Sequence, residues 1–202
     1  MPTENEGTTI QLQNLWAKSN PFKQLLAHML DAGNCVRAYL LSPSSMAVLA
    51  FLKDQWHLDT KANVSFVSYL AALHDIGKAM PQFQYQTGQS IRHEYYSARI
   101  MTSIWKQKGQ PSRLYRPYAY VLALHHQRIE NERIRTPVDE TWQAVQTELE
   151  VLIRDAFHAP AALPRLDNMN AVCILLTGLT ILCDWVASSG PFNGIPVVDD
   201  AY

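Results

Sequence analysis

The segment YLAALHDIGKAM, residues 69–80, places His74, Asp75 and Lys78 inside an otherwise apolar, helix-like run. Groups of this kind are costly to bury unless they are paired or bind a cation. Lys78 is four residues from His74 and three from Asp75, so on a helix it faces the same side as both. The three suit a metal-dependent reaction at phosphate, with the lysine over the anion; the plainer alternative is a surface Asp75–Lys78 ion pair of little energetic worth. Other residues of ligating type recur along the chain. His28 and His93 each sit in helical patterns, where a lone histidine is more often a hydrogen-bonded core residue. His125 and His126 are adjacent at the end of an apolar stretch, and a core-facing member of that pair needs a partner or a metal. Asp184 interrupts the most apolar run in the chain, where an unpaired carboxylate is expensive. His57 and His158 lie in polar or loop-flanking contexts and are assigned no role. Five histidines and two aspartates on separate helices exceed the needs of one structural ion and suit two ions sharing a carboxylate.

Helices must position these groups. The residues 19–41 predict a first helix with Asn20 as N-cap and Pro21 at the first helical position; Leu25, Met29, Ala32, Val36 and Leu40 recur at helical spacing. Ser42-Pro43-Ser44-Ser45 ends it, and further helices are expected over 46–56, 63–78, 90–109 and 116–126. A Thr136-Pro137-Val138-Asp139 start opens one running to Phe157, and the last covers Met169 to Ser188. Strand patterns are poor apart from Ile195–Val198. The expectation is an all-α bundle of six to eight helices in one domain, residues 1–202, with the metal site between helices.

Composition narrows the function classes. With 202 residues, 48% hydrophobic and 17% charged, the chain has the make-up of a globular protein with a sizeable core, not a disordered one. A formal net charge of −1 gives no global reason to expect nucleic acid. Charge is uneven, however: from Arg99 to Arg135 there are eight Lys/Arg against two acids, either a solvated face or a track for a phosphate backbone. Arg92, Arg99, Arg113, Arg116 and Arg128 are the candidate DNA contacts, and Tyr95, Tyr96, Trp105, Tyr115 and Tyr118 the candidate stacking residues. Three cysteines without CxxC spacing fit reduced thiols, and the polar start lacks the apolar core of a secretory signal, so a cytoplasmic protein is expected. The apolar run 171–183 is 13 residues long, too short to span a bilayer, and reads as a buried helix with no membrane partner.

The order His28, His74-Asp75, Asp184 resembles the HD superfamily of metal-dependent phosphohydrolases, and more closely the HD nuclease of type I CRISPR systems. WAKS (16–19), HMLD (28–31), LHDIGK (73–78), FQYQ (83–86), RHE (92–94), HH (125–126) and GLTILCDWVASS (178–189) carry the likeness over nearly the whole chain. HDIGK alone is shared with nucleotide and cyclic-dinucleotide phosphodiesterases; the late CDW-ASS block with the early WAKS separates the CRISPR nuclease from them. Gln127 stands where the family commonly has Gly, and Cys183 where it has Ala; neither is a ligand. The resemblance implies one ion held by His28, His74, Asp75 and Asp184 and a second by His93, His125 and His126, with Asp75 bridging. It implies His74, Asp75 and Lys78 as the catalytic group. An imidazole-rich set favours Mn, Fe, Co or Ni, with Mg and Zn admissible.

The implied activity is hydrolysis of single-stranded DNA, endonucleolytic and then exonucleolytic, alongside a CRISPR helicase in cis or in trans and an RNA-guided surveillance complex. No GxxxxGK[ST] phosphate loop is present, so the expected object is a stand-alone nuclease subunit or the N-terminal piece of a nuclease-helicase. The alternatives are an HD phosphodiesterase of cyclic dinucleotides or nucleotides, against which QRIENERIRTP (127–137) lacks a Gly-Tyr-Pro signature, and a non-catalytic docking module stapled by metal.

Overall fold

Residues 10–85, 92–126, 139–166 and 169–189 are described by a computed structural model. A small hairpin comes first, β1 (Trp16–Ser19) pairing antiparallel with β2 (Phe22–Gln24). Among the described residues eight α-helices follow: α1 (Leu25–Leu40), α2 (Met46–Trp56), α3 (Thr60–Ala72), α4 (Pro81–Gln84), α5 (His93–Gln107), α6 (Ser112–Leu124), α7 (Glu140–Phe157) and α8 (Met169–Ala187). A buried 3-10 segment, Leu73–Lys78, links α3 to α4. The all-α expectation holds, with corrections at the ends of elements.

The expected N-cap Asn20 and the following Pro21 instead form the hairpin turn, and α1 starts at Leu25. WAKS thereby becomes a strand, which period-2 reasoning overlooks because only four residues pair. The α1 pattern is as expected from there: Leu25, Met29, Val36 and Leu40 are fully enclosed and His28 lies on the same buried side. α3 begins under Asp59, whose side chain accepts from the Ala62 amide. It stops at Ala72, six residues short of the expected end. α7 is capped by Asp139, whose carboxylate accepts from the Thr141 and Trp142 amides; the expected Thr136 cap, like Arg128, Gln127 and the Ile195–Val198 strand, lies outside the described residues.

α1, α3 and α8 pack side by side, α5 pairs with α6, and α7 closes over α3. An aromatic cluster of Trp56, Phe66, Trp105 and Tyr118 fills the centre. Trp105, Tyr115 and Tyr118 are thus core residues, with exposures of 1%, 9% and 0%. They are withdrawn as stacking candidates, since a base has no access to a ring enclosed in the core. Glu150, also fully buried, accepts from the Tyr69 hydroxyl, Lys108 and Arg154, a satisfied polar knot between α3, the end of α5 and α7. His57 and His158 occupy left-handed positions (φ 53° and 50°) that terminate α2 and α7.

α8 corrects the reading of its apolar run. At 19 residues with mean hydropathy 1.8 it is long and apolar enough to cross a membrane by length and composition. It instead lies against α1 and α6 through Val172, Leu176, Leu179, Cys183 and Ala187, and its Asp184 reaches inward. The helix is half-buried, not buried: Ile174, Leu182 and Trp185 are exposed on its outer face. Cys35, Cys173 and Cys183 form no disulfide.

Candidate metal centre

The 3-10 segment Leu73–Lys78 is the pivot of the site. Every residue in it is buried, between α1, α5 and α7. The tighter winding puts residues i and i+3 in line, so Lys78 Nζ sits 2.6 Å from Asp75 Oδ2. The pair exists, but it is an enclosed one, not a surface bridge. Lys78 also donates to the Ala17 carbonyl at 3.3 Å. Gly77 is required by packing: its position abuts the His93 carbonyl and Ser97, and its amide donates to Ser97 Oγ at 2.8 Å. Ser97 Oγ in turn donates to the His74 carbonyl at 2.6 Å. One hydroxyl therefore locks the HD turn to α5 and fixes His93 relative to His74.

The two oxygens of Asp75 face different partners. Oδ2 lies 3.2 Å from His28 Nε2 and 3.4 Å from His74 Nε2. Oδ1 lies 3.1 Å from His93 Nε2 and 3.8 Å from His125 Nε2. Asp184 Oδ1 completes the first side, 3.2 Å from His28 Nε2 and 3.4 Å from His74 Nε2. His126 completes the second, its Nε2 2.9 Å from that of His93. The ligand atoms of His28, His74 and Asp75 all lie within 4.8 Å of one another, as do those of His93, His125 and His126. All seven expected ligands thus come together from α1, the HD turn, α5, the end of α6 and α8.

The donor chemistry fits metal ions. His74 Nδ1 is 2.9 Å from the Ala71 carbonyl and His125 Nδ1 is 2.7 Å from that of Leu122. A carbonyl only accepts, so each Nδ1 carries the hydrogen and each Nε2 lone pair is turned to the centre, the arrangement metal-binding histidines use. The Nε2 atoms of His74 and His125 are buried without a hydrogen-bond partner, which a cation would remedy.

Electrostatics agree. Burial opposes charge on His74, but the carboxylates of Asp75 and Asp184 outweigh it and push the imidazole up to about 10. Burial would raise Asp75, yet Lys78, His74 and His93 hold it well below the usual carboxylate range. Asp184 is likewise lowered, against burial, by the imidazoles of His28 and His74 that face it. His125 is held well below 6.5 by burial and then by its cationic neighbour His74, and His126 is lowered by burial and then His93. The metal-free cluster therefore stores a proton on His74 where a cation would sit.

A pH prediction follows. The His74 contribution to stability is complete below about 6.5 and is lost as pH rises toward about 10. The aspartate contributions are complete above about 3.8 and are lost as pH falls below it. His125 and His126 act with the opposite sign to His74: their contributions are complete above about 6.5 and are lost as pH falls. The thermal midpoint of the metal-free protein is therefore expected to peak near pH 6.5 and to fall on either side, between about 4 and about 10. Added Mn should offset the alkaline fall, because ions bind the deprotonated imidazole. Calorimetry across that range, with chelator or with Mn, checks both limbs; an alkaline optimum without metal contradicts the assignment.

Of the candidate DNA contacts, Arg99 lies exposed on α5 beyond His93. Arg92 is engaged with Glu94 at 2.8 Å and packs over Tyr95. Arg113 and Arg116 are exposed near the start of α6, about 14–18 Å along the axis from His125 at its end, so the structure does not bring them to the site. Sequence reasoning also missed positioning residues. Ser97 carries no sequence signal. Gln84 donates to the carbonyls of Trp16 and Lys78 and accepts from the Trp16 amide, pinning the hairpin beside the HD turn; Lys23, fully buried, joins Asp31 at 2.7 Å and the Ala187 carbonyl at 2.9 Å.

Comparison with known proteins agrees with this geometry. The family model described as "Cas3, HD domain" matches residues 16–192. The CRISPR-associated endonuclease/helicase Cas3 of Thermus thermophilus is 29% identical over 203 residues, covering 86% of this chain and 22% of that protein, so the chain spans about a fifth of this relative's length. The T. thermophilus Cas3 HD domain, solved in the presence of Ni2+, superposes with a TM-score of 0.70 at 28% identity, covering 89% of this chain and 77% of that one. T. fusca Cas3 with ADP has the same fold, with a TM-score of 0.78 at 22% identity over 91% of this chain and 23% of that one.

Proposed function

The chain belongs to the Cas3 HD-domain family, and from that premise we propose that it is a metal-dependent nuclease hydrolysing phosphodiester bonds of single-stranded DNA in type I CRISPR interference. The observation that carries this reading is Asp75, with one oxygen toward His28 and His74 and the other toward His93 and His125. Two ions would be held there, one by His28, His74, Asp75 and Asp184 and one by His93, His125, His126 and Asp75. Imidazole predominance favours Mn, Fe, Co or Ni, and the related T. thermophilus domain was solved with Ni2+ present. Bound divalent ions supply activation of water and neutralisation of charge on the phosphate.

The chain's own residues do the rest. Lys78 holds Asp75 through Oδ2, the oxygen that also faces His28 and His74, and would place a cation beside the phosphate. Ala71 and Leu122 fix the tautomers of His74 and His125. The domain, residues 1–202, works in the cytoplasm with a helicase in cis or in trans and with a surveillance complex of the kind seen with a relative of 20% identity that shares the fold.

The test is cleavage of circular single-stranded DNA by the purified chain in Mn, with a cyclic dinucleotide as the competing substrate. Linearisation of the circle, abolished by chelator, is expected. Hydrolysis of the dinucleotide with an intact circle assigns the site to the phosphodiesterase class instead.

A further inference from the structure

A cavity of ≈ 380 Å³ lies between α5, α7 and the start of α4, and none of the seven candidate ligands lines it. That volume is within the range of small-ligand sites, about 300–1,000 Å³. Along the chain its lining comes close to the ligands: Met80 follows Lys78 by two residues, and Tyr96 follows His93 by one helical turn. On α5 the step from His93 to Tyr96 is about 4.5 Å along the axis. The wall is held in register with the HD turn by Gln146, whose side-chain amide donates to the Ala79 carbonyl at 2.7 Å.

The lining has a particular chemistry. Gln82, Gln143 and Gln146 supply side-chain amides, groups that both donate and accept and so match the mixed edge of a nucleobase. Gln82 Oε1 is buried with no hydrogen-bond partner among the described residues, an acceptor awaiting a donor. Tyr96 is half-buried and retains ring surface for stacking, unlike the enclosed Trp142 behind it. Arg99 stands exposed at the rim, placed for a phosphate.

We propose that this cavity is a nucleotide subsite, holding one base of a DNA strand next to the phosphate at the metal centre, with Tyr96 stacking on the base, the glutamines on its edge and Arg99 on the adjoining phosphate. The proposal deepens the nuclease reading and rests on it for the strand's direction into the site. Binding itself is separable from cutting.

The experiment measures binding of a fluorescein-labelled oligothymidylate to the full metal-free chain by anisotropy, for the native protein, Tyr96→Ala, Tyr96→Phe and Arg99→Ala. Loss of one base stack is expected to weaken binding about tenfold in Tyr96→Ala, while Tyr96→Phe, which keeps the ring, stays near native. Arg99→Ala should lower the salt dependence by about one ion. An oligonucleotide with a run of abasic sites should weaken native binding and not that of Tyr96→Ala. The subsite is overturned if native protein fails to bind the oligonucleotide, if folded Tyr96→Ala binds as native does, or if free dTMP binds as tightly as the strand. Tyr96-dependent binding without any cutting upholds the subsite and removes the nuclease reading; cutting without Tyr96 dependence does the reverse.

Discussion

Asp75→Ala is expected to abolish cleavage and to empty both metal positions together. Among the described residues Asp75 is the one carboxylate whose oxygens face both histidine groups, Oδ2 toward His28 and His74 and Oδ1 toward His93 and His125. Residues that merely orient ligands cost about 10–100-fold in metal affinity or activity; a ligand common to two ions should cost more than about 100-fold. Asp184→Ala gives the contrast, because Asp184 faces only His28 and His74. It should deplete one ion and spare the other. Metal content after dialysis and cleavage of circular DNA, measured on the same samples, check the pair. Asp75→Asn, which preserves shape and leaves Lys78 an acceptor, guards against misfolding as the explanation. Retention of both ions by Asp75→Asn and Asp75→Ala alike contradicts the bridging role.

Gly77→Ala is expected to be the most damaging small substitution for stability. A β-carbon there would lie 2.0 Å from the His93 carbonyl oxygen, 2.5 Å from the Ser97 amide nitrogen and 2.7 Å from Ser97 Oγ. Two of these are backbone atoms of the first turns of α5, so relief requires that helix to move, and His93 with it. Overpacking of this kind costs about 3 kcal/mol at the upper end of its usual range. Gly178→Ala, in the interior of α8 with nothing within 4 Å of the new carbon, should have the opposite sign and gain up to about 1 kcal/mol from helix propensity. Urea unfolding of the two variants beside the native chain tests the contrast. Lost metal uptake in Gly77→Ala under conditions where it is still folded locates the damage at the His93 side.

The ligand types and the helical class were legible because each depends on local rules. Periodicity marks Leu25, Met29, Val36 and Leu40 as one face of a helix whatever lies opposite. A carboxylate at position 184 within an apolar run needs a partner wherever it is buried. Those rules stop at distances of a few residues. They misplaced the start of α1, where Asn20-Pro21 satisfies a helix N-terminus and a hairpin turn equally well, and pairing of β1 with β2 chose the turn. They ran α3 through the HD turn, since the apolar pattern continues across it and does not register the close approach of Gly77 to α5 in the 3-10 segment. They offered Trp105, Tyr115 and Tyr118 as stacking residues, because aromatic composition does not say which ring is enclosed.

The order of residues carries an inventory: an all-α chain with seven side chains of ligating type and a lysine. How that inventory is divided is a matter of packing between distant segments. Which oxygen of Asp75 faces which histidines, which hydroxyl locks the HD turn to α5, and which tyrosine lines a cavity all depend on distances between segments tens of residues apart. No local propensity encodes those distances; they are set when the helices bury their apolar faces against one another, and the burial that draws the helices together is also what makes unpaired Nε2 atoms at the centre demand a cation.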